Sequence, residues 1–147
     1  MVAHSGADEV MTLEKFYTGL FERHEERTAL VDGHRELTYA ELDEQSARFA
    51  NVLDSVGLGS GDLVGILLGN RSEYVVTQIV AARAGVVAVP FNYQIDRSTI
   101  KPILEETDIR TLVVGPEHLE TIQELRDGPL DFNHLIGIAD QQKPPLG

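Results

Sequence analysis

Apolar residues near the amino end of the chain recur at helical spacing. Within residues 12–26 they lie three, four, seven and eight positions apart, which puts them on one face of an amphipathic helix. Thr12 is the predicted N-cap of this helix, with Lys15 at position N3 in place of the glutamate of a capping box. The apolar positions are Leu13, Phe16, Tyr17, Leu20 and Phe21.

A hairpin and a second helix are predicted next. Residues 28–32 and 34–38 read TALVD and HRELT, and the Asp-Gly pair between the two runs predicts a tight turn. Thr38 and Glu41 stand three positions apart before an apolar-periodic segment, which predicts a reciprocal capping box. This helix is expected to end just before Gly57, which is well placed as a left-handed C′ residue.

Five glycines lie within residues 57–70, GLGSGDLVGILLGN, and they raise the question of a phosphate-binding loop. Such a loop follows a strand and opens a helix, so that backbone amides and the helix N-terminus converge on the phosphate. Here the glycines follow a helix and open a strand. Asp62 also stands where the third glycine of a dinucleotide fingerprint is required, and the chain contains no G-x-x-x-x-G-K-[ST] sequence. We therefore interpret GLGSGD as a helix stop followed by a turn.

The remaining chain alternates aliphatic runs with segments of helical periodicity. Such runs are typical of buried parallel strands, and the helical segments between them predict right-handed βαβ crossovers. We expect an α/β fold with a parallel sheet, helices on both faces and the short hairpin in front, over residues 12–140. Residues 1–11 and 141–147 are expected to be disordered. The runs are LVGILLG at 63–69, VVAVPFN at 86–92, RTLVVG at 110–115 and HLIGIA at 134–139.

The helices between these strands have recognisable start signals. Asn70, with Glu73 as its partner, is the predicted cap of a helix over residues 71–84, and Asp96 is the predicted cap of the next helix. Pro116 is placed at the first position of the last helix, where its missing N–H costs nothing. The helix over 71–84 is apolar on nearly every side, so we expect both of its faces to be covered.

The composition is that of one acidic domain without cysteine. A chain of 147 residues can bury a single core. The absence of cysteine excludes disulfides, thiolate nucleophiles and Cys-ligated metals, and it fits a reducing, cytoplasmic setting. No apolar run approaches the roughly 18 residues of a membrane span. The first ten residues are acidic where a secretory signal is basic, so we expect a soluble protein without a targeting segment.

Charge excludes some partners. The chain has 24 acidic and 12 basic residues, a formal net charge of −12, and such a surface repels nucleic acid and anionic membranes. The acids are scattered over helical faces, which indicates a solvated surface rather than an acidic arm. Only three of the basic residues are lysines. Acid-rich, lysine-poor surfaces suit a high-salt cytoplasm, and we therefore expect a halophilic source.

Few residues are candidates for binding or chemistry. Asn70, Arg71 and Ser72 stand between a strand and a helix, where open α/β sheets bind ligands, although capping alone explains Asn70. Asn92 and Tyr93 follow the next strand and are candidates for lining a binding pocket. No residue is assigned a catalytic, cofactor-binding or metal-binding role, because the histidines lack ligand spacing and a partnered nucleophile. The histidines, expected in surface or loop roles, are His4, His24, His34, His118 and His134.

Four motifs occur in order along the chain: LTYAEL, GDLVGILL, AARAGVVAVP and ILEETDIRTLVV. Together they resemble the N-terminal part of the adenylate-forming, AMP-dependent synthetase/ligase superfamily, which includes acyl-CoA synthetases, amino-acid adenylation domains and luciferases. The resemblance covers residues 12–140. Each motif alone marks only the ends of helices and strands. The four motifs together, in this order and spacing, indicate the family.

The resemblance implies a two-step reaction with ATP, magnesium and coenzyme A as cofactors. A carboxylate attacks the α-phosphate of ATP to form an acyl-adenylate and pyrophosphate, and a thiol such as coenzyme A then takes the acyl group. In that family a Gly/Ser/Thr-rich loop ending in lysine holds the triphosphate, and a second lysine comes from a mobile C-terminal domain. Neither element occurs in these 147 residues. We therefore expect a scaffold portion that binds none of these cofactors by itself and has the remainder of the synthetase as its partner, in the same or a separate chain.

Two alternatives stay open. The chain is alternatively a stand-alone interaction module that binds another ligase chain or an acyl carrier. An independent flavodoxin-like domain binding a nucleotide or flavin is the other alternative, and the order of the glycines argues against it. If the sheet is separated from a parent enzyme, we expect an exposed apolar patch that drives oligomer formation.

The acidic surface predicts that salt stabilises the fold. Self-repulsion at net charge −12 acts over a Debye length of about 30 Å at 0.01 M salt and about 3 Å at 1 M. The melting temperature should therefore rise with potassium chloride, and it should rise less in a variant with Glu22, Glu25, Glu105 and Glu120 changed to glutamine. A flat melting temperature, or full salt dependence in the variant, would contradict the halophilic-surface hypothesis.

Overall fold

The computed structural model describes residues 10–33, 35–128, 130 and 132–139. Over these residues an initial helix and a hairpin are followed by four helices that alternate with four strands, which makes five helices and six strands in all. The disorder expected for residues 1–11 and 141–147 falls outside the described residues, except at residues 10 and 11, and it stays a prediction. The elements are α1 Leu13–His24, β1 Thr28–Asp32, β2 Arg35–Thr38, α2 Tyr39–Ser55, β3 Leu63–Leu67, α3 Ser72–Ala84, β4 Val87–Pro90, α4 Arg97–Glu106, β5 Thr111–Val114, α5 Leu119–Arg126 and β6 His134–Gly137.

The strands form two sheets. β1 and β2 pair antiparallel as the predicted hairpin. The other four strands lie in the order β4-β3-β5-β6, and every pair is parallel. This arrangement confirms the predicted α/β fold with a parallel sheet preceded by a hairpin.

Alternate side chains of the central strand β3 enter two different cores. Val64 and Ile66 pack with Ala81 of α3, whereas Leu67 packs on the other face with apolar residues of α4 and α5. Val64 and Ile66 are completely buried. Helices therefore cover both faces of the sheet, as predicted, because a strand that is apolar throughout needs an apolar layer on each side.

Helix α3 is covered on both faces, also as predicted. One side contacts β3 and β4, and the other contacts α1 and α2. Phe21 of α1 is buried in the second contact, but Leu13 and Phe16 remain 63% and 50% exposed. The apolar stripe of α1 is thus only partly covered by the described residues. None of the described helices is long and apolar enough to span a membrane.

The predicted start and stop signals hold at most positions. Thr12 Oγ1 accepts a hydrogen bond from Lys15 N. Thr38 Oγ1 accepts from Glu41 N at 3.2 Å, and the Glu41 carboxylate accepts from Thr38 N at 2.8 Å, so the capping box is complete. Gly57 has φ 77°, the left-handed conformation expected just past the end of α2.

Two start signals were wrong. Asn70 does not cap α3, because the N-cap is Arg71 and no side chain of the cap residue bonds the helix. Pro116 is not at N1 of α5, since that helix begins at Leu119. Residues 116–118 instead form a turn, which is closed by a hydrogen bond from His118 N to Gly115 O at 3.1 Å. The sequence pattern had placed these residues in the first turn of the helix.

The four glutamates chosen for the salt test are exposed. Glu105 also lies 2.9 Å from the ammonium group of Lys101. Its neutralisation removes an attraction as well as a repulsion, so Glu22, Glu25 and Glu120 are the more informative positions.

Gly65 tests the packing of the central strand. A Cβ at this position would lie 2.3 Å from Leu112 Cδ2 and 3.0 Å from Phe91 Cε2, and Leu112 is fully buried. We expect Gly65→Ala to lower the free energy of unfolding by about 1–3 kcal/mol through overpacking, measured by urea denaturation.

Gly59→Ala is the matched control for Gly65→Ala. The nearest atom to its added Cβ is Asp62 Oδ2 at 3.9 Å, and Gly59 does not have positive φ. We expect a change within about 0.5 kcal/mol. Equal effects of the two substitutions would contradict the close approach at Gly65.

Candidate functional site at the carboxyl edge of the sheet

The strand order places a topological switch point between β3 and β5. From β3 the chain crosses through α3 to β4 on one side, and from β4 it crosses back through α4 to β5 on the other side. In open α/β sheets, ligands bind outside the carboxyl ends of the strands at such a point. The candidate site is therefore built from the segments that follow β3, β4 and β5.

The segments after β4 and β5 meet at this edge. The imidazole Nε2 of His118 hydrogen-bonds the backbone carbonyl of Tyr93, which ties the two loops together. The Glu117 carboxylate lies over Gly69 and Gly115: an added Cβ would be 3.5 Å from it at Gly69 and 2.6 Å at Gly115. We call Gly69, Tyr93, Glu117 and His118 the edge cluster.

The sequence prediction included Tyr93 but missed Glu117 and His118 as part of the same edge. Both residues follow β5 directly, as Asn92 and Tyr93 follow β4. The signal that selected Asn92 and Tyr93, a position just past a buried strand, applies equally to them. The contact of His118 with Tyr93 depends on the placement of β4 and β5 on either side of β3.

The loop after β4 is shaped by its own polar groups. Asn92 Oδ1 accepts from Gln94 N at 3.0 Å, and Asp96 caps α4 by accepting from Thr99 N at 2.9 Å. Hydrogen bonds from Ser98 and then Thr99 hold the pKa of Asp96 below its usual value. Tyr93 is 44% exposed, and Asn92, Gln94 and Asp96 of the same loop are exposed as well.

The three predicted residues after β3 lie on a second part of the edge, beside the hairpin. Asn70, Arg71 and Ser72 line a cleft of about 210 Å³ that also contains Asp32. Asp32 Oδ2 accepts from Ser72 N at 2.8 Å. A carboxylate of the hairpin therefore occupies the N-terminus of α3, where a phosphate would have to bind.

Arg71 is the remaining charged group of this cleft. Its Nε lies 3.5 Å from Glu73 Oε2, and its Nη1 is buried without a hydrogen-bond partner among the described residues. Ser72 Oγ donates to the same carboxylate of Glu73 at 3.3 Å. The structure thus joins the Asn70, Arg71 and Ser72 candidates to Asp32, and the Asn92 and Tyr93 candidates to the edge cluster.

Neither part of the edge presents a catalytic arrangement or a metal site. Within the described ranges, no group of three or more His, Asp or Glu side chains could hold a metal ion. The His24 ring lies 5.9 Å from the Tyr39 ring at a tilted angle, and His134 begins β6. His4 and His34 lie outside the described residues. What the edge offers is a rigid polar wall without a nucleophile and base in contact.

Comparison with known proteins gives a consistent result. Residues 20–144 match the family described as AMP-binding enzyme. Feruloyl-CoA synthase of Amycolatopsis sp is 37% identical over 121 residues, which are 81% of this chain and 25% of that protein. A medium/long-chain fatty acid and 3-oxocholest-4-en-26-oate CoA ligase of Mycobacterium marinum is 34% identical over 115 residues, 78% of this chain and 21% of that protein.

Solved structures agree on the fold. The inhibitor-bound N-terminal domain of FACL13 from Mycobacterium tuberculosis superposes with a TM-score of 0.81 at 23% identity, covering 88% of this chain and 34% of that one. The chain spans about a quarter or less of the length of the two curated relatives.

We predict that Asp32 stabilises the N-terminus of α3 as its cap, the role that the sequence pattern predicted for Asn70. Asp32→Ala leaves the Ser72 amide without its carboxylate partner, and we expect a loss of about 1 kcal/mol in the free energy of unfolding. Asp32→Asn keeps an acceptor but removes the charge near the helix N-terminus, so a smaller loss of about 0.3–1 kcal/mol is expected.

Asn70→Ala is the control for Asp32, because Asn70 is exposed and makes no capping bond. Its effect should stay within about 0.5 kcal/mol. If chemical denaturation gave Asn70→Ala the larger loss, the assignment of the cap to Asp32 would be wrong.

Proposed function

The chain belongs to the AMP-binding enzyme family, and from that premise we propose that it forms the N-terminal scaffold portion of an ATP-dependent, AMP-forming acyl-CoA synthetase. In the complete enzyme a carboxylate oxygen attacks the α-phosphorus of ATP and pyrophosphate leaves. The thiol of coenzyme A then attacks the acyl carbon, and AMP leaves as the thioester forms. This chain contributes the parallel sheet on which those steps are organised.

The observation that supports a scaffold role is the structural use of each family motif. LTYAEL supplies the end of β2 and the capping box of α2, and GDLVGILL supplies a turn and β3. AARAGVVAVP contains the end of α3, the left-handed Gly85 and β4. ILEETDIRTLVV supplies the end of α4 and β5. The residues shared with the family therefore build the fold and leave charge binding to other parts of the enzyme.

The glycine-rich turn before β3 does not fit a triphosphate. Gly59 N donates to Asp62 Oδ2 at 2.8 Å, and Gly61 N donates to Gly85 O at 2.9 Å. Protein groups thus satisfy these two amides, and the carboxylate would repel an anion. Lys101 is paired with Glu105, so it is not positioned as a phosphate ligand either.

The acyl substrate belongs to the proposal only as a class. One relative is named for feruloyl-CoA and the other for fatty acids and a steroid acid, and what they share is a carboxylic acid joined to coenzyme A. We infer the same class for the enzyme to which this chain contributes, with magnesium-bound ATP as the second substrate. Such an enzyme would act in the cytoplasm, where ATP and coenzyme A are available.

The isolated chain is expected to be catalytically silent. With neither lysine-bearing element in the sequence, the purified chain should give no carboxylate-dependent exchange of pyrophosphate into ATP. Detectable exchange by a pure preparation would contradict the proposal.

The positive test is a graft. Residues 20–144 should replace the matching segment of the Amycolatopsis feruloyl-CoA synthase, and we expect the graft to retain measurable pyrophosphate exchange with ferulate. A graft carrying Gly65→Val is the matched control, because the larger side chain cannot fit beside Leu112, and it should lose exchange. A well-folded but inactive unsubstituted graft would count against the proposed scaffold role.

A further inference from the structure

The Tyr93 ring lies beside the carboxyl end of the central strand. Its Cδ2 atom is 3.9 Å from the position that a Cβ of Gly69 would take, and Gly69 follows β3 by two residues. The side-chain amide of Gln94 donates to the Tyr93 hydroxyl at 3.4 Å. The ring is therefore at the switch point between β3 and β5, where open α/β sheets bind ligands, and Tyr93 is 44% exposed.

The loop that carries this ring is anchored at its two ends. Phe91 N donates to Ile66 O of β3 at 2.9 Å, and Ile95 packs against the core on the α4 and α5 face. Between these anchors the hydrogen bonds are local: Gln94 N donates to Asn92 Oδ1, and Ile95 N donates to Asn92 O. Such bonds shape the loop, but they do not fix its distance from the turn after β5.

His118 supplies the connection from outside the loop. Its backbone is held on both sides, because His118 N donates to Gly115 O at 3.1 Å and Ile122 N donates to His118 O at 3.0 Å. From this position the imidazole Nε2 donates to Tyr93 O. Among the described residues, this is the one hydrogen bond that joins residues 92–94 to another part of the chain.

We propose that His118 is a positioning residue that holds the Tyr93 ring at the carboxyl edge for the planar ring of a substrate. This inference rests on the proposed function. Residues 91–95 carry no charged side chain, and the Glu117 carboxylate beside Gly69 would repel an anionic group. A neutral ring that stacks with an offset on the Tyr93 ring is therefore the contact that this loop suits.

Two sources of such a ring exist within the proposed reaction. One is the aromatic part of the carboxylic acid, if the acid is of the feruloyl type that names one relative. The other is adenine, which both ATP and coenzyme A contain. Kinetic measurements with each of the three substrates distinguish these sources.

The effect of His118 is expected in binding. A substrate that stacks on a ring already held in place costs less conformational entropy than one that must first order the loop. Without the His118 bond, residues 92–94 keep their local turn but lose their connection to the turn after β5. The added cost then raises KM and leaves the chemical step unchanged.

Hydrogen exchange in the 147-residue chain tests whether His118 holds the loop. His118→Leu keeps an apolar side chain without a donor, whereas His118→Gln restores an N–H donor at the end of a side chain of similar reach. We expect the Gln94 and Ile95 amides to exchange at least about threefold faster in His118→Leu, and at the original rate in His118→Gln. The Val113 amide in the buried strand β5 should keep its rate in both variants.

His134→Leu is the matched control, because His134 begins β6 and is remote from the carboxyl edge. It should leave the Gln94 and Ile95 amides unchanged. Unchanged exchange of these amides in His118→Leu would overturn the proposal. Equal acceleration of the Val113 amide would also overturn it, because the role of His118 would then be global stability.

Steady-state kinetics of the feruloyl-CoA synthase graft test the substrate contact. We expect His118→Leu to raise the KM of ferulate, ATP or coenzyme A about three- to tenfold, with kcat changed less than about twofold, and His118→Gln to restore that KM. The substrate whose KM rises is the source of the planar ring. A lower kcat with three unchanged KM values would overturn the proposal.

A double-mutant cycle tests whether His118 acts through the ring. Tyr93→Leu keeps the backbone carbonyl but removes the ring, so it should raise the same KM as His118→Leu. In the Tyr93→Leu background, His118→Leu should then have no further effect on that KM. Independent, additive effects of the two substitutions would contradict positioning through Tyr93.

The positioning role and the scaffold role fail by different results. An active graft whose three KM values are unaffected by His118→Leu rejects the positioning role and leaves the scaffold role standing. An inactive graft rejects the scaffold role, and dissociation constants of ferulate, ATP and coenzyme A from calorimetry then replace KM. If none of the three binds the inactive graft, or if His118→Leu changes none of the constants, the positioning role is rejected as well.

Discussion

The burial of β3 on both faces is the constraint on which the rest of the structure depends. Val64 and Ile66 point into one core and Leu67 into the other, and each is at most 1% exposed. Burying a side chain of this kind is worth about 1.5–3 kcal/mol, but only if an apolar layer covers each face. Because β4 and β5 run parallel to β3, the chain must cross back after each strand, and the crossing helices provide those two layers.

This crossing pattern also determines what meets at the carboxyl edge. The chain leaves β3 in one direction for β4 and returns past it to β5, so the loops after β4 and β5 converge above β3. Their contact is made by the His118 imidazole and the Tyr93 carbonyl, two residues that are 25 positions apart. Gly69 and Gly115 then leave room for the Glu117 carboxylate. Strand order thus determines where the edge cluster lies. The absence of side chains at Gly69 and Gly115 provides the space for the Glu117 carboxylate.

The sequence predicted the fold class and the features that depend on neighbours in the chain, and it missed individual contacts between distant residues. The capping box of Thr38 and Glu41 and the left-handed Gly57 are local, and both were correct. The group that caps α3 is not local, because Asp32 accepts a hydrogen bond from Ser72 N, 40 positions along the chain. Asn70 was predicted as the cap because it lies next to the predicted helix start in sequence. Pro116 fitted a helix start equally well by local rules, but the turn at 116–118 joins His118 to the loop after β4.

Several polar side chains at the carboxyl edge hold the backbone in place. Asp32 accepts from an amide of α3, Asn92 from an amide of its own loop, and Asp96 from an amide in the first turn of α4. These bonds fix the loops that carry the groups, and each carboxylate keeps further lone pairs for other partners. Tyr93 combines an exposed side chain with a backbone carbonyl that is hydrogen-bonded to His118. The carboxyl edge is thus held by hydrogen bonds between loops that are far apart in sequence, and the order of the strands determines which loops those are.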